Sequence, residues 1–167
     1  MYHKTPMKNI AVFVDVQNIY YTTKDTFSRQ FNYKALWKEL SKLGNICIAN
    51  AYAIDRNDTK QIAFQEVLRN IGFEIKLKPY INRSDGSSKG DWDVGITIDV
   101  MDATTDTNKK IDMIVLLSGD GDFDLLLEWV SRNNIETLVY GGRNLTATSL
   151  IESASIFKEI NRDLLLN

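Results

Sequence analysis

The sequence predicts an α/β fold in which a mostly parallel sheet is covered on both faces by helices. Three observations lead there. Short apolar runs suited to strands alternate along the chain with segments of helical spacing. The first and most apolar of these runs lack the period-2 alternation of a half-wet strand, as expected when both faces are buried. At 167 residues, the chain has the length of one domain with a full core. We therefore expect a polar tail over residues 1–8 and a single domain over 9–167.

The run Ile10-Ala11-Val12-Phe13-Val14 opens the fold as a strand buried on both faces. Tyr33 to Leu43 reads as a helix, with Leu36, Leu40 and Leu43 on one side and Gly44 as its stop. Ile46 to Ile54 is a second strand. Asp58 then caps a helix through Asn70, seated by Ile62, Val67 and Ile71 and ended by Gly72. Phe73 to Lys78 alternates as a strand with one wet face, where Lys76 and Lys78 need no function. After the Ser- and Gly-containing loop Asn82 to Gly90, Trp92 to Thr104 reads as helix. Ile111 to Leu117 is the most apolar strand. A helix from Phe123 to Arg132, a last strand from Glu136 to Tyr140 and a short helix from Ala147 to Ala154 complete the pattern.

Composition narrows the chemistry. The chain holds one cysteine, Cys47, and one histidine, His3, so an intrachain disulfide and Cys/His zinc sites are excluded. The apolar fraction is 44% and the net charge −2, ordinary for a soluble domain and without the basic excess of many nucleic-acid binders. Residues 1–8 carry no apolar signal core, and no run approaches a membrane span. A cytoplasmic location with no membrane partner is expected.

Ligands of open parallel sheets bind outside the carboxyl ends of the strands, and there the sequence places aspartates. The first strand delivers Asp15. The fourth delivers Ser118-Gly119-Asp120-Gly121-Asp122. If the two strands are neighbours, about 4.8 Å apart, Asp15 and Asp120 lie side by side and repel unless a proton or a cation sits between them. With oxygen ligands only, that cation is Mg²⁺ or Mn²⁺. A third carboxylate, Asp93, starts the helix after the loop. On a wheel packed through Val94, Ile98 and Met101, it falls inside the apolar arc, where it needs a partner. Asp99 lies about 9 Å further along the axis and reads as solvated or supporting. Asp122 and Asp124 have plainer readings, as helix cap and first-turn charge. Asn18, one turn beyond Asp15, can orient a carboxylate, a water or a phosphate, or serve only as a turn residue.

The set Asp15-x-x-Asn18, Lys89-Gly90-x-x-Asp93-Val94 and Ser118-Gly119-Asp120-Gly121-Asp122-Phe123 resembles the NYN domain family in its LabA-like branch, which is similar to PIN-like nucleases. The resemblance runs from residue 9 to about 158. It implies a three-layer α/β/α sandwich and metal-dependent ribonuclease activity, or RNA binding descended from it. By motif, Asp15, Asp93, Asp120 and Asp122 are the acidic site, with Asn18 beside them, and Asp99 matches a recurrent family aspartate. Where the family commonly has Ala-Asp near the C-terminus, this chain has Ala154-Ser155.

The expected chemistry is hydrolysis of an RNA phosphodiester, with metal held by Asp15, Asp93 and Asp120, and Asp122 acting through water or on the nucleophile. Lys89, Ser118, Asn18 and Arg143 are the expected substrate contacts. Arg56, Arg83, Lys89 and Arg143, with Tyr80 and Trp92 as stacking faces, would line a groove for single-stranded RNA. Tyr20, Tyr21 and Trp37 read as packing residues. A non-catalytic RNA-binding module is the alternative, and a homodimer is an open alternative to a monomer. An aspartyl-phosphate enzyme is disfavoured because Gln17 stands where a second acid is wanted. No Gly-x-Gly-x-x-Gly follows the first strand to support dinucleotide binding.

Overall fold

The computed structural model describes residues 7–79, 81–82, 88–89 and 91–167. Strand β1 (Lys8–Asp15) runs directly into helix α1 (Val16–Phe27), and α2 (Tyr33–Ser41) leads to β2 (Gly44–Asp55). Helix α3 (Thr59–Ile71) and strand β3 (Glu74–Pro79) follow. A small antiparallel pair, β4 (Ile81–Asn82) and β5 (Ser88–Lys89), precedes α4 (Asp93–Thr105). The second half is β6 (Met113–Leu117), a 3₁₀ turn (Gly121–Phe123), α5 (Asp124–Arg132), β7 (Glu136–Gly141), α6 (Thr148–Ser153) and β8 (Ile156–Glu159). A 3₁₀ turn at Arg162–Leu164 ends it.

Six of these strands form one all-parallel sheet in the order β3-β2-β1-β6-β7-β8. The chain winds outward from β1 in one direction, then returns to β1's other side and winds outward again. The reversal lies between β1 and β6, the point at which open parallel sheets bind their ligands. Alternation across β1 divides the core. Ile10, Val12 and Val14 pack with Ile19, Leu36, Leu40 and Leu68 on one face. Ala11 and Phe13 pack with Ile96, Val100, Leu127 and Leu150 of α4, α5 and α6 on the other. The three-layer sandwich is therefore present, with β1 and β6 at its centre.

Several local expectations change. Helix α1, unassigned beyond a turn at Asn18, is a full helix; its inward residues are Ile19, Thr22 and Thr23, too polar a set to show an apolar stripe. Helix α2 ends at Ser41, and Gly44 opens β2 rather than stopping the helix. In α3 the seat is Leu68, with Phe64 and Ile71 beside it, while Ile62 and Val67 are exposed. Gly72 does end α3, with φ 134°, a backbone conformation costly for any side chain. Strand β8 lies beyond the expected last strand. It is four residues long, with no buried position to mark it.

Leu36 is fully buried on the α2 face of the core. Leu36→Ala is expected to lower unfolding stability by about 2–5 kcal/mol, read from the denaturant midpoint at unchanged slope.

Candidate metal centre

Register places the site. Val14 pairs with Leu117 across β1 and β6, so the next residues, Asp15 and Ser118, leave the sheet opposite each other. The Ser118 hydroxyl is fully buried and donates to Asp15 Oδ2 at 3.3 Å. It also accepts from the Asp120 backbone N–H at 3.2 Å. Asp15 caps α1 by accepting from the Asn18 N–H at 3.4 Å. The Asn18 side chain in turn accepts from the Gly119 N–H at 2.9 Å. Asn18 thus ties α1 to the loop after β6.

That loop must pass close to the segment before α6. A Cβ on Gly119 would stand 2.5 Å from the Leu145 carbonyl oxygen, and the Gly119 carbonyl accepts from Ala147 N–H at 3.0 Å. The chain then turns through the 3₁₀ element, capped by Asp120 Oδ1 accepting from the Asp122 N–H at 2.9 Å. The capping role considered for Asp122 therefore falls to Asp120, and Asp122 stands exposed at the rim.

Helix α4 brings the remaining acid. Asp93 is its first residue, and the Asp93 N–H donates to the Asp91 carboxylate at 3.2 Å. One oxygen from each of Asp93, Asp120 and Asp122 falls within 4.8 Å of the others. The Asp93 carboxyl is pushed up to about 7, chiefly by burial, then by a hydrogen bond to Asp120 and by the charges of Asp120, Asp91 and Asp15. Asp15 is pushed up to about 6 by burial, opposed by the Asn18 and Ser118 hydrogen bonds and reinforced by Asp120 and Asp91. Four acids therefore feel one another at the reversal point.

The grouping differs from the expected trio of Asp15, Asp93 and Asp120. The structure gathers Asp122 with Asp93 and Asp120, because register sets Asp15 against Ser118, two residues short of Asp120. Asp91 is an addition; the spacing Asp91-x-Asp93 was the signal for it. A hard cation fits this donor set. The ligands are carboxylate oxygens alone, and oxygens around one such ion at about 2.0–2.6 Å lie up to about 5 Å apart. Burial and then the neighbouring carboxylates make Asp93 and Asp15 hold their protons more tightly than usual, and a bound cation would favour their ionised forms.

The face of α4 also differs. Ile96, Val100 and Ala103 are buried, whereas Val94, Ile98 and Met101 are exposed, Val94 by 70%. Asp99 is partly buried and paired: it accepts from the Tyr52 hydroxyl and pairs with Lys76 Nζ, each at 2.7 Å. Lys76 thus has a partner, as does Lys78, whose ammonium lies 4.4 Å from the Trp92 ring centre and donates to the Asp91 carbonyl at 3.2 Å. Trp92 is committed to packing: its indole N–H donates to the Ala53 carbonyl at 2.8 Å. Among the expected substrate contacts, Arg143 is exposed in the turn after β7. The neighbouring Gly141 and Gly142 abut Thr146 and Thr22. The expectations for Tyr80, Arg83 and the Lys89 side chain lie outside the described residues.

The aspartates clustered at the reversal point could hold a metal ion, and a family model gives this arrangement its place. The NYN domain model matches residues 9–161, and the chain belongs to the NYN domain family, a family of PIN-like nucleases. The chain is 24% identical over 160 residues to the low amplitude and bright protein LabA of Synechococcus elongatus, covering 91% of this chain and 83% of that one. The crystal structure of a protein of unknown function from Vibrio parahaemolyticus superposes with a TM-score of 0.88 at 44% identity, covering 99% of this chain and all of the other. Among the described residues, no helix is long and apolar enough to cross a membrane.

The raised acids make metal-free stability depend on pH. An aspartate whose folded value lies above the ordinary 3.8 favours the fold while protonated, and that contribution is lost as pH rises from about 4 through about 7. Asp93→Asn is therefore expected to raise the melting temperature in EDTA at pH 8 and to change it little at pH 4. A lower melting temperature for the variant at pH 8 would contradict this electrostatic account. Gly119→Ala is expected to be destabilising, because the added carbon meets a backbone carbonyl that cannot rotate away; equal chemical denaturation curves for variant and parent would argue against that contact.

Proposed function

We propose that the chain is a divalent-metal-dependent ribonuclease that hydrolyses RNA phosphodiester bonds at the acidic cluster. The observation that carries this reading is the convergence of Asp93, Asp120 and Asp122 within 4.8 Å beside Asp15, in a chain that belongs to a PIN-like nuclease family. Mg²⁺ or Mn²⁺ held by Asp93, Asp120 and Asp122 would polarise a phosphoryl oxygen and lower the pKa of a bound water.

The remaining residues prepare that site. Asp15 holds a carboxyl raised to about 6 beneath the cluster, so near neutral pH its oxygens can take up a proton from a water. Ser118 fixes Asp15 Oδ2 through its hydroxyl, and Asn18 fixes the backbone of the Gly119 loop. Ser118 acts as a brace through a hydroxyl that both donates and accepts within the protein, and Asn18 braces the loop through its side-chain oxygen. Asp91 orients the start of α4 through the Asp93 N–H and adds charge that a cation would neutralise. The exposed guanidinium of Arg143 is the cation assigned to a phosphate of the RNA backbone.

Purified protein with Mn²⁺ should cut labelled single-stranded RNA, and EDTA should stop it. Asp120→Asn is expected to reduce cleavage at least about 100-fold, as for loss of a group acting in the transition state, with an unchanged far-UV circular dichroism spectrum. Wild-type protein that is as inert as the variant across RNAs of varied sequence would overturn the hydrolytic reading in favour of binding alone.

A further inference from the structure

Helix α1 turns Ile19, Thr22 and Thr23 inward and leaves an aromatic pair outside. Tyr20 and Tyr21 are 48% and 49% exposed, so the packing role that the sequence suggested for them does not hold. Their rings meet edge to face, with centres 5.5 Å apart. The Lys24 ammonium lies 5.6 Å from the Tyr20 ring centre. An exposed pair of large rings beside a cation is unusual surface for a helix to keep without use.

The position of the pair matters more than its exposure. Helix α1 begins where β1 ends, at the acidic edge. At about 100° per residue, Tyr21 stands about 60° around the helix from Asn18 and one turn further along it. Thr22 is the residue that meets Gly142, where an added Cβ would come within 2.3 Å of Thr22 Cγ2. The turn carrying exposed Arg143 therefore lies against the same helix. Asp25, one turn beyond Tyr21, is exposed as well.

We propose that Tyr20 and Tyr21, with Lys24 and Arg143, form a binding surface for the unpaired bases of single-stranded RNA, leading the strand into the acidic cluster. The proposal rests on the ribonuclease reading for what happens at the cluster, and deepens it by naming where the strand is held. A polyanion approaching four carboxylates needs anchoring away from them. Stacking on aromatic rings supplies anchoring without added charge, and it is open only to bases whose faces are not already stacked in a duplex. Lys24 and Arg143 supply the complement to phosphate on the flanks. These charges favour a nucleic acid over a second copy of this chain as the occupant.

The test is fluorescence anisotropy of a labelled 12-nucleotide oligouridylate with the full chain in EDTA, where no cleavage interferes. Tyr20→Ala and Tyr21→Ala are each expected to weaken binding about tenfold, the scale of one lost base stack, whereas Tyr→Phe at either site should bind as the parent does. Lys24→Ala and Arg143→Ala should each flatten the salt dependence, by about 0.7 in its logarithmic slope. A blunt RNA duplex of the same length should bind more weakly and ignore the tyrosine changes.

Alanine variants that bind oligouridylate like the parent would overturn the proposal. So would equal weakening toward the duplex, or a shift in sedimentation with RNA affinity unchanged, which would make the surface an interface between copies. Tyrosine-dependent binding without Mn²⁺-dependent cleavage would sustain this surface and remove the ribonuclease reading; cleavage with tyrosine-independent binding would do the reverse. Parent protein that binds no RNA would overturn both.

Discussion

Parallel pairing of β1 with β6 is the constraint on which the site depends. The two strands are adjacent in space although about 100 residues separate them in the chain, and their hydrogen bonds fix which residues leave the sheet together. With Val14 set against Leu117, Asp15 faces Ser118, and everything beyond follows from that pairing. The Ser118 hydroxyl bridges Asp15 to the Asp120 backbone; the Gly119 N–H meets Asn18; the 3₁₀ turn then presents Asp120 and Asp122 toward Asp93. A slip of one residue in this register would send each of these side chains to the other face of the sheet. Both strands are almost wholly buried on both faces, so such a slip would also ruin the core.

The same precision has an electrostatic cost. Burial alone is the largest influence raising both Asp15 and Asp93, ahead of any single neighbouring charge. Mutual repulsion then adds to it. The fold tolerates this because backbone N–H groups and a hydroxyl are already turned toward the carboxylates: Asn18 and Ser118 for Asp15, and Asp122 N–H for Asp120. These donors hold the acids in place without neutralising them. A site so arranged gains more from a cation than a solvated surface cluster would, since the counter-charge removes a penalty that the core imposes.

Much of this was legible in the sequence. The buried runs around Val12 and Val115, the alternation of elements and the aspartates directly after two central strands were enough to place the site at one sheet edge. Topology was less accessible, because adjacency of β1 and β6 is a tertiary fact that local pattern does not encode. Hence Asp15 and Asp120 looked like direct neighbours, when register interposes Ser118. Helix α1 was hidden for a different reason: two threonines and one isoleucine form its inner face, and threonine marks no apolar stripe. Its tyrosines suggest packing because each ring offers a large apolar area to bury; the rotation of α1 instead turns them outward.

Helix α4 shows where hydrophobic patterning stops being informative. Val94, Ile98 and Met101 make one plausible inner face, and Ile96, Val100 and Ala103 make another, so burial by itself does not choose the helix's rotation. Polar partners do. Asp99 has its place where the Tyr52 hydroxyl and the Lys76 ammonium reach it, and the Asn50 amide donates to that same hydroxyl at 3.1 Å. At the helix's start, Trp92 is held by the Ala53 carbonyl and lies under Lys78; its ring fills the space a Cβ at Gly95 would need. Rotating α4 to bury the other stripe would strand Asp99 without these partners, at a cost of the kind that makes buried polar contacts selective. It would also swing Asp93 away from Asp120. Asp99, further along this helix, therefore helps decide whether Asp93 reaches the cluster.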